Sequence, residues 1–164
     1  MLKESKYKAV QSIKSRAAVF GLCLIVSLPV LGRIDVLTPL DFGTILISDH
    51  SQTSRVKIGV NGQNTTSGAV HLVSGGNAAE LALSSLPPLH QISVSTSIVT
   101  PLLSHSNLYV PGINLVQLEH INSVVSDSQG NAALKIGGTI EVSAQPSQFP
   151  DGTYRVWANI ELNY

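Results

Sequence analysis

Beyond Gly32 the apolar residues return at every second position, and a chain with that period buries one face of extended strands, not one face of a helix. The closing segment shows it most cleanly. Tyr154, Val156, Ala158, Ile160, Leu162 and Tyr164 alternate with Arg155, Trp157, Asn159, Glu161 and Asn163 up to the last residue. Val56, Ile58 and Val60 alternate with Arg55, Lys57 and Gly59, and Asn61-Gly62 follows as a turn signal. Leu134, Ile136, Ile140, Val142 and Ala144 share one parity across Gly137-Gly138, and paired glycines at a strand centre predict a bulge or the close approach of another backbone.

The intervening segments fill in the pattern. Val70 and Leu72, then Gly75-Gly76-Asn77, then Ala79, Leu81 and Leu83 read as two strands joined by a tight turn, with Pro87-Pro88 ending the second. Ile92 and Val94 suit a short strand, Pro101 and the following Ser-His-Ser-Asn a loop, and Leu108 to Leu118 a strand pair bent at Pro111-Gly112. Asp127 to Asn131 is a polar turn, and Pro146 to Gly152 makes the last one. Turns spaced roughly 8 to 12 residues apart predict an all-β chain, an immunoglobulin-like β-sandwich with Greek-key-like connections. At 164 residues there is room for one such domain, over 33–164.

The first 32 residues have another character. Lys3, Lys6, Lys8, Lys14 and Arg16 precede an uncharged apolar run from Ala17 to Leu31, which is the layout of a helical signal peptide over 1–32, cut after Gly32. The run is short of the roughly 20 residues that span a bilayer, and Pro29 interrupts it. An uncleaved anchor is the competing reading. Cys23, the one cysteine, lies inside this run, so the exported part has no thiol for disulfides or metal. The expected location is the periplasm, the cell surface or the medium, with membrane contact only through the signal peptide.

Charge excludes one class of partner. Past Gly32 five basic residues stand against nine acidic ones, a net charge of −4, so no basic stripe is present to neutralise phosphates and nucleic acid is not expected. Catalytic signals are equally thin. Ser74 before Gly75-Gly76 only superficially resembles a nucleophile elbow, and a strand end explains it. His50, His71, His90, His105 and His120 are too far apart in sequence to predict a shared metal. Asp127 with Gly130 and Asn131 lacks the distal glutamate of a calcium loop, and Asn64-Thr65-Thr66, a sequon in form, reads as loop. No enzyme, metal or cofactor is expected.

Several short motifs recur together: Leu40-Asp41-Phe42-Gly43-Thr44-Ile45, Ile136-Gly137-Gly138-Thr139-Ile140-Glu141-Val142, Gly152-Thr153-Tyr154 and the terminal Tyr164. In order and spacing they resemble the secreted bacterial family catalogued as domain of unknown function number forty-four hundred and two, over nearly all of the chain past about residue 36. The resemblance implies an immunoglobulin-like sandwich on or outside the envelope, with a likeness to fimbrial subunits, and it brings no catalytic residues.

The two chain ends then become the informative features. Ile34, Val36, Thr38, Leu40 and Phe42 share one parity, as do the apolar positions of the last strand, so either end could complete a neighbour's sheet by β-strand addition. The expected function is that of an exported structural or adhesive subunit whose partner is a second copy or another envelope protein. Two other readings fit the pattern: a monomeric module binding glycan or a host surface, with Trp157 as its ring platform, and a small outer-membrane barrel. The bland reading is that both ends are ordinary first and last strands of a self-contained sandwich.

Overall fold

The structure is a computed structural model that describes residues 32–99, 102–105, 108–145 and 149–164. All but the last residue of the expected signal peptide lies outside these, as do Cys23, Pro101 and Pro146. In chain order the strands are β1 (Arg33–Thr38), β2 (Thr44–Ile47), β3 (Ser54–Ile58), β4 (Asn64–Ser67), β5 (Val70–Ser74), β6 (Ala79–Ser84), β7 (Gln91–Ile98), β8 (Leu102–His105), β9 (Leu108–Glu119), β10 (Ser123–Val125), β11 (Ala132–Val142), β12 (Tyr154–Arg155) and β13 (Ala158–Asn163). None of the described residues is helical, and every strand pair is antiparallel.

The strands make a β-sandwich. One layer runs β1-β6-β11-β9-β8-β12, with β3 on β11 and β4 on β3. The facing layer consists of two smaller sheets, β10-β7-β13 and β2-β5. Each roofs its own core. Val56, Ile58, Val70, Ile113, Leu115, Ile140 and Val142 fill the first beneath β2-β5, whereas Leu81, Leu83, Ile92, Val94, Val124, Leu134 and Ile136 fill the second beneath β10-β7-β13. Each fully buried aliphatic side chain contributes about 1.5–3 kcal/mol relative to exposure. Every sheet order has two ends, so among the described residues the strands do not close into the barrel that alternation alone also allowed.

β11 joins the two halves. From Ala132 to Ile136 it pairs with β6, and from Gly138 to Val142 it lies between β3 and β9. Gly137-Gly138 marks the change, and the expected close approach is there: a Cβ on Gly137 would stand 2.3 Å from the Ile58 carbonyl oxygen. The bulge lies in the neighbouring strand, where β9 slips by one residue opposite Thr139 and Ile140, passing over Val116.

Several expectations change on contact with the fold, among them the loop expected at Ser104-His105, which ends strand β8. Gly75-Gly76-Asn77 does not join a hairpin, because β5 pairs with β2 in one layer and β6 with β1 and β11 in the other. The glycines carry the chain between layers, past the Asp41 carbonyl, which lies 2.1 Å from where a Gly76 Cβ would be. Leu108 to Leu118 is one strand, not a pair, and the expected irregularity lies within it: Gly112 takes φ +92°, and the pairing with β8 shifts register between Tyr109 and Asn114. Val60 belongs to the turn after β3, held by the Gly62 N–H on the Gly59 carbonyl. The closing alternation is real but divided, with Tyr154 and Val156 packing on the first core and Ile160 and Leu162 on the second.

Candidate interaction edges at the chain ends

The motif residues meet inside the molecule. Leu40 and Phe42 follow β1 as the chain crosses from one layer to the other, and they sit over β11 where Gly138 lacks a side chain: a Cβ there would be 3.0 Å from Leu40 Cδ2 and 3.2 Å from the Phe42 ring. Gly43, at φ +74°, lets the turn into β2 pass so close to β5 that a Cβ would lie 2.2 Å from the Ser74 carbonyl oxygen. Asp41 accepts the Gly43 N–H at 2.9 Å and exchanges backbone hydrogen bonds with Asn77, whose side-chain amide donates to the Pro39 carbonyl at 3.0 Å. Gly152 occupies the bend ahead of β12, where Tyr154 donates its hydroxyl to the Pro150 carbonyl and burial raises its phenol pKa. The glycine motifs are joints of the sandwich.

The two longer motifs, which the sequence separates by about ninety residues, form one packed joint. The chain belongs to the family described as domain of unknown function (DUF4402). The family's model matches residues 34–164, which takes in all thirteen strands but for Arg33 at the start of β1. No curated protein and no solved structure matches the chain. For a DUF4402 member the chemistry must therefore be read from its own surface.

Both chain ends form edges over the second core. β1 pairs with β6, Ile34 opposite Leu83 and Val36 opposite Leu81, so both turn toward the core. Ile34 packs there, half-buried, while Val36 remains 42% exposed at the rim. The single parity expected from Ile34 to Phe42 then breaks. Leu37, 67% exposed, is passed over by the pairing, and Thr38 comes opposite Glu80 on the outer face. Beyond the bulge Leu40 and Phe42 return to the interior. An exposed Arg33–Asp35 ion pair at 2.9 Å completes this edge.

β13 is the other edge. It pairs with β7 from Ala158↔Ile98 to Asn163↔Ser93 without a slip in register, turning Ile160 and Leu162 inward and Asn159, Glu161 and Asn163 outward. Trp157 occupies the crossing from β12, its carbonyl accepting the Val99 N–H at 3.2 Å. The two ends touch where the Gly32 N–H donates to the Tyr164 hydroxyl at 3.0 Å.

The remaining candidates serve the framework. The Ser74 hydroxyl accepts the Thr44 N–H at 3.0 Å, and His71 Nε2 lies 3.3 Å from the Ser48 hydroxyl. The His50 ring tilts against Phe149, and among the described residues no three of His, Cys, Asp and Glu gather to hold a metal ion. Asp127 Oδ1 accepts the N–H groups of Asn131 and Gln129, each at 2.8 Å, and the Asn131 bond foremost holds its carboxyl below the usual aspartate value. Asn64 lies on strand β4, not in a loop, and its amide clamps both the N–H and the carbonyl of Gly76. Sequence reasoning missed these Asn64 and Asn77 clamps, because their backbone partners are distant in the chain.

Proposed function

We propose that this DUF4402 protein is an exported structural or adhesive subunit of the bacterial envelope that joins a neighbour by β-strand addition, giving the segment Ile34 to Phe42. The observation that carries this reading is the weak seating of β1. None of its six side chains is fully buried, yet it covers the β6 edge over Leu81 and Leu83, each 1% exposed. A strand held in this way can be exchanged. The same segment from a second copy would meet the same partners in the same register, so closed and exchanged forms share nearly all their contacts.

The basic and apolar N-terminal segment supports export, and the family match begins just past the expected cut. Deleting residues 33 to 40 tests the mechanism. Sedimentation velocity should show assembly lost, and thermal unfolding should show a lower midpoint. A wild-type protein that stays monomeric at high concentration, with a deletion that changes neither measurement, would defeat it.

A further inference from the structure

The three-stranded sheet over the second core ends in two unlike edges. At its centre β7 buries Ile92 and Val94, which are 0% and 5% exposed, and on one flank the three-residue β10 buries Val124. On the other flank β13 is six residues long and in regular register, yet its inward side chains Ala158, Ile160 and Leu162 are only half-buried. Among the described residues nothing pairs with its outer side. Natural edges are protected by a bulge, a proline or charged side chains, lysine above all. β13 has no bulge, proline or lysine, and its one charge is the outward Glu161.

We propose that the outer side of β13 pairs antiparallel with β13 of a second copy, merging two three-stranded sheets into one of six strands, with Ile160 opposite Ile160 on the two-fold axis. A second copy is the occupant because the strand is complementary to itself, apolar residues opposite apolar and polar opposite polar, in one register that parity and charge select. A strand that pairs with itself about a two-fold axis must keep its inward residues opposite inward residues, which centres the pair on a residue and not between two. Centring on Glu161 opposes two like charges and is unfavourable. Centring on Asn159 or Leu162 leaves part of the strand unpaired. Centring on Ile160 sets Ala158 against Leu162 and Asn159 against Glu161, and brings the partly exposed Trp157 opposite Asn163. Five residues of each copy then pair through the backbone, and the half-exposed inward row is covered.

This contact rests on the reading of the chain as a self-assembling subunit but uses a different edge from β1, so the two fail separately. The test changes the exposed Asn159, which faces away from the core. In a sedimentation-velocity concentration series on the purified protein, Asn159→Glu places two glutamates opposite each other twice across the axis and should weaken self-association roughly tenfold. Asn159→Lys should tighten it by a similar factor, and Asn159→Glu combined with Glu161→Lys should restore it. A wild-type protein that is monomeric throughout, or one whose association is the same in all variants, overturns the β13 contact. If association is unchanged by charge at 159 but lost on deleting residues 33 to 40, the β1 reading stands and this one falls.

Discussion

β1 and β13 flank the same core and meet just beyond their ends, at Gly32 and Tyr164, yet as edges they are guarded differently. β1 has a bulge at Leu37 and an ion pair at its start, so its outer side is a poor template for a further strand even though the strand itself is loosely seated. β13 keeps a regular register, without a bulge, and carries a single charge, Glu161. Apolar content does not separate the two, since each alternates aliphatic residues toward the core. The difference lies in backbone regularity and in the placing of charge, which decide whether a strand can be given away or can accept another.

The comparison assumes one core beneath both edges, and the severest test strikes that core. Ile92, fully buried on β7, should cost about 2–5 kcal/mol when changed to Ala, measured by denaturant unfolding. A loss below about 1 kcal/mol would mean that the second core does not hold the edges. Next in size are the two edge residues themselves. Ile34→Ala and Ile160→Ala remove half-buried side chains from the two strands and should each cost roughly 1–2 kcal/mol. Native-state hydrogen exchange sharpens the contrast: amides of β1 that bond to β6 should open well before those of β13 that bond to β7. Equal protection would remove the distinction between an exchangeable edge and a fixed one.

Acid should act on the turn ahead of β11. Asp127 has a folded pKa below its ordinary 3.8, so its contribution to stability is complete above that value and is lost as pH falls through the folded pKa. Wild-type protein should lose stability below about pH 4, and Asp127→Asn should lose less over the same interval, as read by thermal midpoints. Smallest of all is the guard on β1. The Arg33–Asp35 pair is 72% and 44% exposed on its two side chains, so Arg33→Ala should shift stability by no more than about 0.5 kcal/mol. A larger shift would make the ion pair a structural element of that edge.

How much of this was legible in the sequence depends on the range of the interaction. Period-two alternation placed the inward residues of β3, β6, β11 and β13 on their correct faces, because a pleated strand turns alternate side chains to opposite sides whatever its neighbours. The Gly137-Gly138 pair foretold a close approach but not which backbone would make it. At β1 a local signal existed, since the adjacent apolar residues Val36 and Leu37 break alternation where the bulge forms. The β5 to β6 connection offered none. Glycines that turn a hairpin and glycines that cross between layers look the same in one dimension. The β13 edge was likewise hidden, because a missing guard has meaning only once the strand is known to lie at the side of a sheet.

The sequence by itself determined that this chain is built of strands with one apolar face, and which side chains the regular strands turn inward, because those follow from backbone geometry within a few residues. Only the tertiary structure decided which strands pair, that β11 serves both cores, and that the closing alternation is divided at Val156 and Trp157 between β12 and β13. Those choices depend on hydrogen bonds and packing between segments far apart in the chain. An edge exists only when all the other strands have found their places.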